Sequence, residues 1–168
     1  MRIFLTGFMG AGKTTTGRQL AWALSFPFID LDVEIELRVG MSVREIFERQ
    51  GEPAFRLLEQ DALQAALAHP DVVVAMGGGT MAFESNFRLI QGNGLSVWLN
   101  PSLATIVGRI GAKGKHDRPL FKDEAQAFAL YQERLPSYRR ADLTVDVSAS
   151  EAPQEVAARI ALLLGERR

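Results

Sequence analysis

A glycine-rich run, Gly7-Phe8-Met9-Gly10-Ala11-Gly12-Lys13-Thr14, fits the phosphate-loop pattern G-x-x-x-x-G-K-[ST] and is flanked by two segments of different periodicity. Before it, Arg2-Ile3-Phe4-Leu5-Thr6 is a short apolar run that reads as a buried strand; after it, Thr15 to Leu24 reads as a helix. That context gives the motif its physical meaning. Glycines let the backbone wrap close to a phosphate, and the amides at a helix N-terminus point at it. Lys13 adds a positive charge able to reach the β- and γ-phosphates, and the Thr14 hydroxyl can ligate Mg²⁺. Gly10, Ala11, Gly12, Lys13, Thr14 and Thr15 are therefore expected to bind a nucleoside triphosphate.

Further apolar runs repeat the alternation begun by that strand and helix. Strands are expected at Arg2–Thr6, Phe28–Leu31, Val72–Met76, Ser96–Leu99 and Leu143–Val147. Val72-Val73-Val74-Ala75-Met76 is almost unbroken in its hydrophobicity, as a strand covered by helices on both faces should be. Ser42-Val43-Arg44-Glu45 is a capping box whose helix should stop near Gly51, and Glu52 to His69 carries apolar residues at helical spacing up to Pro70. Ser102 can cap a helix running to Ile110. Ala125 to Arg139 forms another helix despite Pro136, and Glu151 to Leu164 a last one, with Ser150 as its N-cap and Gly165 as its stop. Such βα alternation implies a mainly parallel sheet flanked by helices, with ligands beyond the carboxyl ends of the strands.

With 168 residues, no linker and no internal repeat, the chain reads as one domain, residues 1–168. Its net charge of −1 offers no basic field for nucleic acid or membrane, and no apolar run reaches the length of a membrane span. The absence of cysteine excludes disulfides, thiolate metal sites and cysteine nucleophiles. A cytoplasmic enzyme acting on small molecules, with no obligate protein partner, is the expectation.

Three chemically loaded segments fall at strand ends: the phosphate loop, Asp30-Leu31-Asp32 and Gly77-Gly78-Gly79. The i, i+2 spacing of the aspartates puts both on one side of an extended segment. One can orient Mg²⁺ or its waters and the other can accept a proton from a substrate hydroxyl; capping of a helix from Val33 by Asp32 is the plainer alternative. Three consecutive glycines cost backbone entropy and contribute no packing, so a ligand lying against their backbone is the chemical reading. Arg56 can be a guanidinium fork for a carboxylate, with Phe47 and Phe55 as apolar walls, although a simple exposed ion pair with Glu59 explains it locally. Arg134 stands near Arg139 and Arg140 at a helix end, where one of the three facing the cleft is expected. The polar stretch Gly111 to Pro119 has the composition of a mobile lid carrying Arg118 as a charge stabiliser, since phosphoryl transfer must exclude water. His69 and His116 have no partner at metal spacing.

Together these segments resemble the shikimate kinases, small phosphate-loop enzymes. The quoted pieces are Gly7 to Gly17, Phe28-Ile29-Asp30-Leu31-Asp32, Gly51-Glu52-Pro53-Ala54-Phe55-Arg56, Met76-Gly77-Gly78-Gly79, Arg118-Pro119-Leu120 and Arg134-Leu135-Pro136-Ser137-Tyr138, in family order along essentially the whole chain. The resemblance implies a three-layer α/β/α fold of the nucleoside-monophosphate-kinase type, with five parallel strands in the order 2-3-1-4-5. A lid would cover about 111–123 and a substrate-binding segment about 32–60. It implies transfer of a phosphoryl group from ATP to the 3-hydroxyl of shikimate, with Mg²⁺. Asp32 would activate the hydroxyl and Asp30 would support the metal with Thr14. Arg56 and Arg134 would hold the carboxylate, and Gly77, Gly78 and Gly79 would border the substrate. Lys13 and Arg118 would stabilise the transferring group, and Arg109 would stack on the base. The chain departs from the family pattern at Phe121, where leucine is common, and at Val147-Ser148-Ala149-Ser150, where relatives often carry a basic residue or glutamine. The alternatives are a gluconate-kinase-like enzyme for another small acid, a nucleoside monophosphate kinase, and a nucleotide-binding module without chemistry.

Overall fold

The computed structural model describes residues 1–112 and 124–166. Five parallel strands form one sheet in the order β2-β3-β1-β4-β5. They are β1 (Arg2–Thr6), β2 (Phe28–Asp30), β3 (Val72–Ala75), β4 (Leu95–Pro101) and β5 (Leu143–Val147). The helices between them are α1 (Lys13–Leu24), α2 (Leu31–Val39), α3 (Val43–Ala66), α4 (Glu84–Asn93), α5 (Leu103–Ala112), α6 (Glu124–Tyr138) and α7 (Pro153–Gly165). Parallel strands require crossovers, and the crossover helices bury both sheet faces. The chain first fills one side of β1 with β2 and β3, then the other with β4 and β5. The phosphate loop leaves β1 at this reversal of strand order, where α/β sheets open a crevice.

Successive residues of β1 supply both cores. Ile3 and Leu5 pack with Leu20 and Ala21 of α1 and with Val156, Ile160 and Leu164 of α7. Phe4 faces the other way, into Leu31 and Ile35 of α2, Leu63 of α3 and Ile90 of α4. A third cluster, including Phe8, Trp98, Ile106 and Tyr138, supports the phosphate loop from below.

Local signals explain most boundaries. Ser42 and Glu45 form the reciprocal capping box, with Ser42 N–H donating to Glu45 Oε2 at 2.9 Å and Glu45 N–H to Ser42 Oγ at 3.1 Å. The helix breaks where expected, at Gly51, which adopts φ 83° and ψ 168° inside α3. Ser102 caps α5 through Thr105 N–H at 3.2 Å. Other expectations need correction. Ser150 does not cap α7; that helix starts later, with Ala152 in the N-cap position and its N–H bonded to Glu155 Oε2 at 2.7 Å. Asp32 is not a cap and does not lie in extended chain: the strand stops at Asp30, which itself caps α2. Helix α4 was not anticipated, because Phe83 at its N-cap offers no side-chain acceptor and Gly92 interrupts the helical composition. Among the described residues, no helix is long and apolar enough to cross a membrane.

Two helical glycines differ sharply in surroundings. A Cβ on Gly17 of α1 would lie 2.6 Å from Phe28 Cε2 and 3.1 Å from Leu5 Cδ1, so α1 sits against the sheet only because Cβ is missing. A Cβ on Gly92 would meet nothing within 4 Å. Gly17→Ala should therefore lose about 1–3 kcal/mol through overpacking, whereas Gly92→Ala should gain roughly 0.5–1 kcal/mol from reduced unfolded-chain entropy. Urea unfolding of the two variants checks the opposite signs; a shared sign would refute this account of how α1 packs.

Candidate active site

The phosphate loop is shaped by backbone that side chains other than glycine resist. Gly7, Gly10 and Gly12 have φ of 141°, 77° and 95°. A Cβ on Gly7 would also come within 2.6 Å of Leu99 O of β4. Gly12 is the N-cap of α1 and has no side chain to cap it, so the first amides of the helix face the loop without a side-chain acceptor. Lys13 Nζ crosses the loop and donates to Gly7 O at 2.8 Å and Phe8 O at 3.0 Å. Arg109 of α5 reaches Gly10 O at 3.1 Å, which brings that guanidinium to the loop.

Next along α1, the Thr14 hydroxyl donates to Asp30 Oδ2 at 2.5 Å. The other oxygen, Asp30 Oδ1, accepts the N–H groups of Asp32 and Val33 at 3.2 and 3.4 Å. Asp30 thus caps α2 and holds the Thr14 hydroxyl beside the loop. Among the described residues there is no cluster of three carboxylate or histidine ligands. A hydroxyl with one carboxylate behind it suits a cation that keeps its waters and shares phosphate oxygens, as Mg²⁺ does.

Asp32, the second residue of α2, is perturbed by its setting. Its Oδ1 is buried and has no hydrogen-bond partner among the described residues. Burial pushes its carboxyl from the ordinary 3.8 up to about 6, with Asp30 and Glu59 adding negative charge and Lys13 opposing. An acceptor with a free lone pair and a pKa near neutrality is suited to taking a proton.

Opposite lies a pair of guanidinium groups. Arg56, on α3 just past the Gly51 break, donates Nη1 to Glu59 Oε1 at 2.9 Å and Nη2 to Glu52 Oε1 at 2.9 Å. The exposed i, i+3 ion pair suggested by local sequence is a buried one: the Arg56 side chain is 10% exposed and that of Glu59 0%. Glu59 Oε2 also accepts from the Thr80 hydroxyl at 2.6 Å. Phe55 and Phe83 bracket Arg56, their ring centroids 5.2 and 4.8 Å from its Cζ, and Phe47 leans on Phe55 at 4.8 Å. From α6, Arg134 is 7% exposed; among the described residues its one hydrogen bond is a long one, 3.5 Å, to Gly79 O. Both guanidinium groups crowd Gly79, where a Cβ would stand 2.6 Å from Arg134 Nη1 and 2.7 Å from Arg56 Nη2. The glycine at position 79 is needed for this convergence. Arg139 is exposed, and Arg140 turns away to Glu84 and the face of Phe87.

One cavity of about 820 Å³ joins these parts, lined by the phosphate loop, Asp30, Asp32, Phe47, Phe55, Arg56, Gly77–Gly79, Arg109 and Arg134. The described site residues expected from sequence therefore share one space; Arg118 and residues 113–123, the bulk of the expected lid, lie outside the described residues. Sequence reasoning missed Tyr138, whose hydroxyl donates to Gly78 O at 2.6 Å and whose phenol is pushed upward in pKa by burial. It also missed Thr80 and Phe83; the only signal was their nearness to the glycines. The same cavity is also lined by Val147, Glu151, Pro153 and Val156.

Comparison with known proteins agrees with this geometry. A family model described as Shikimate kinase matches residues 9–164. A shikimate kinase from Ruegeria pomeroyi is 38% identical, over 99% of this chain and 86% of its own length. The structure of a shikimate kinase from Acinetobacter baumannii in complex with shikimate superposes with a TM-score of 0.93 at 33% identity, over 99% of this chain and 94% of that one. A gluconokinase from Sinorhizobium meliloti, with a TM-score of 0.59 and 20% identity over 99% of this chain and 96% of its own, shares the fold alone. With phosphate loop, buried carboxylate and paired arginines in one cavity, the chain belongs to the shikimate kinase family, the ATP-dependent kinases of shikimate.

Proposed function

We propose that this chain moves the γ-phosphoryl group of ATP to the 3-hydroxyl of shikimate, and that Asp32 takes the hydroxyl proton. Arg134 carries the reading: it is 7% exposed and, among the described residues, has no carboxylate partner. Arg56 already has Glu59 and the half-exposed Glu52, so Arg134 is the buried guanidinium left without a carboxylate among the described residues. An uncompensated buried charge is costly, and the carboxylate of an acid substrate removes that cost. With the carboxylate on Arg56 and Arg134, the ring lies along Gly77–Gly79 with Phe47 and Phe55 beside it. A ring hydroxyl then faces Asp32.

The hydroxyl oxygen attacks the γ-phosphorus as its proton passes to Asp32. The new P–O bond forms while the bond to the β,γ-bridging oxygen breaks, and ADP leaves with that electron pair. Amides at the start of α1 and the ammonium of Lys13 stabilise charge on the transferring group, joined by Arg118 of the lid, which we assign to about 111–123 of the single domain 1–168. Mg²⁺, held by Thr14 with Asp30 behind it, would supply charge neutralisation at the β- and γ-phosphates. Arg109 would face the base.

An ADP-release assay with Mg-ATP should respond to shikimate and not to gluconate or to buffer alone. Release with gluconate only, or none while ATP still binds, would reject the acceptor. Arg134→Ala should raise KM for shikimate at least about tenfold, the worth of a charge-assisted hydrogen bond, and leave KM for ATP nearly unchanged. Equal effects on both substrates would remove Arg134 from the clamp.

Asp32 links catalysis and stability through pH. Its carboxyl titrates near 6 in the folded chain against 3.8 ordinarily. As acceptor it must be ionised, so kcat/KM should fall as pH drops through about 6. For stability the sign is opposite: the folded state holds the extra proton between those values. Stability therefore declines as pH rises through that window and stays lower above it. Asp32→Asn should abolish most turnover yet stabilise the fold above about pH 6 by up to about 3 kcal/mol, the gain fading toward pH 4. Thermal unfolding across pH measures it, and a variant with unchanged or lower stability at pH 8 would contradict the assignment.

A further inference from the structure

We propose that Thr80, which lines no part of the cavity, is a positioning residue that sets the orientation of Arg56 through the buried carboxylate of Glu59. The inference rests on the reading of Arg56 as one arm of the substrate-carboxylate clamp.

Arg56 is held on two edges that differ in firmness. Its Nη2 and Nε edge meets Glu52 Oε1, whose side chain is 44% exposed; its Nη1 edge meets Glu59 Oε1, which is fully buried. A solvated partner leaves the guanidinium free to swing, so the buried edge decides where the fork points. Glu59 in turn has two oxygens. Oε1 faces Arg56, and Oε2 takes the Thr80 hydroxyl at 2.6 Å. Rotation of the carboxylate about its last torsion is broad by itself, and the Thr80 bond is what fixes that plane.

Thr80 is itself anchored on the backbone. Its N–H donates to Gly77 O at 3.2 Å and its carbonyl accepts from Asn86 Nδ2 of α4 at 3.3 Å. The first glycine of the triple makes the approach feasible: a Cβ on Gly77 would stand 2.9 Å from Glu59 Oε2 and 3.2 Å from Thr80 Oγ1. The same short segment therefore borders the substrate with Gly78 and Gly79 and orients one clamp arm from behind with Thr80. Outer hydrogen bonds of this kind orient a binding group without touching the ligand. Removal of the hydroxyl would leave Glu59 Oε2 without its donor and Arg56 without a fixed edge.

The test is steady-state kinetics on Thr80→Val, Thr80→Ala and Thr80→Ser, each with a Tm. Thr80→Val should raise KM for shikimate about tenfold while kcat and KM for ATP stay within about twofold, and Thr80→Ser should restore the wild-type value. In an Arg56→Ala background, Thr80→Val should add no further rise in KM, because its effect passes through Arg56. Thr80→Ala supplies the reading if the valine variant does not fold. An unshifted KM for shikimate, parallel shifts in both KM values, or a full additive effect in the Arg56→Ala background would each overturn the positioning role with the substrate assignment intact. Wild-type protein without shikimate-dependent ADP release would instead overturn the acceptor, and this proposal with it.

Discussion

A strand with hydrogen-bonded neighbours on both edges and helices on both faces can present polar chemistry only beyond its ends. β1 is that strand: Ile3, Phe4 and Leu5 are fully buried, with β3 on one side and β4 on the other. The loop that leaves its carboxyl end enters the gap between two parallel neighbours and must turn within a few residues into α1. Glycines at positive φ satisfy that turn, and the start of α1 then faces the gap with amides that no side chain caps. β2 and β3 end in the same layer. Hence Asp30, Asp32 and the triple glycine arrive beside the phosphate loop as a result of parallel pairing.

Charge then organises the space. Burial sets the main cost of ionising Asp32; Asp30 and Glu59 each add to it, and Lys13 offsets only part. A chain selected for stability alone would have no reason to keep that carboxylate in this position. Glu59 is different: with Arg56 on one oxygen and Thr80 on the other, its buried charge is paired and hydrogen-bonded. The two carboxylates share a neighbourhood and differ in satisfaction. That difference is what suits Asp32 to the proposed proton acceptance and Glu59 to a structural role.

How much of this was readable from sequence follows from the range of each interaction. The phosphate loop, the Ser42–Glu45 capping box and the break at Gly51 are local, and the residues that make them are neighbours in the chain. The apolar run through Val72–Ala75 announces a strand covered on both faces, and the structure has it so. Helix α2 starts two residues before the expected Val33, because Asp30 and Asp32 are chemically equal candidates for the cap and only the end of β2 decides between them. The burial of Glu59 was invisible for a different reason. Its partner on the helix is legible, whereas the covering residues, Thr80 and the Gly77 turn, come from beyond β3. Arg134 could be picked from its helix only as one of three candidates, since the selection is made by Gly79 across the cavity.

The two halves of the cavity thus depend on the sequence in different ways. The phosphate half is built chiefly from backbone: three glycines, a helix terminus and one lysine within residues 7–13. A protein 20% identical superposes on this fold. The acid half is built from side chains on α2, α3 and α6 converging on a turn after β3, with apolar rings to aim them. Its geometry exists only if several crossings of the chain are each in register. The sheet therefore settles where a nucleotide's phosphates can rest. In the proposed reading the acceptor is chosen by the guanidinium groups over Gly79 and by the open oxygen of Asp32, a small set of atoms that the fold positions and does not by itself specify.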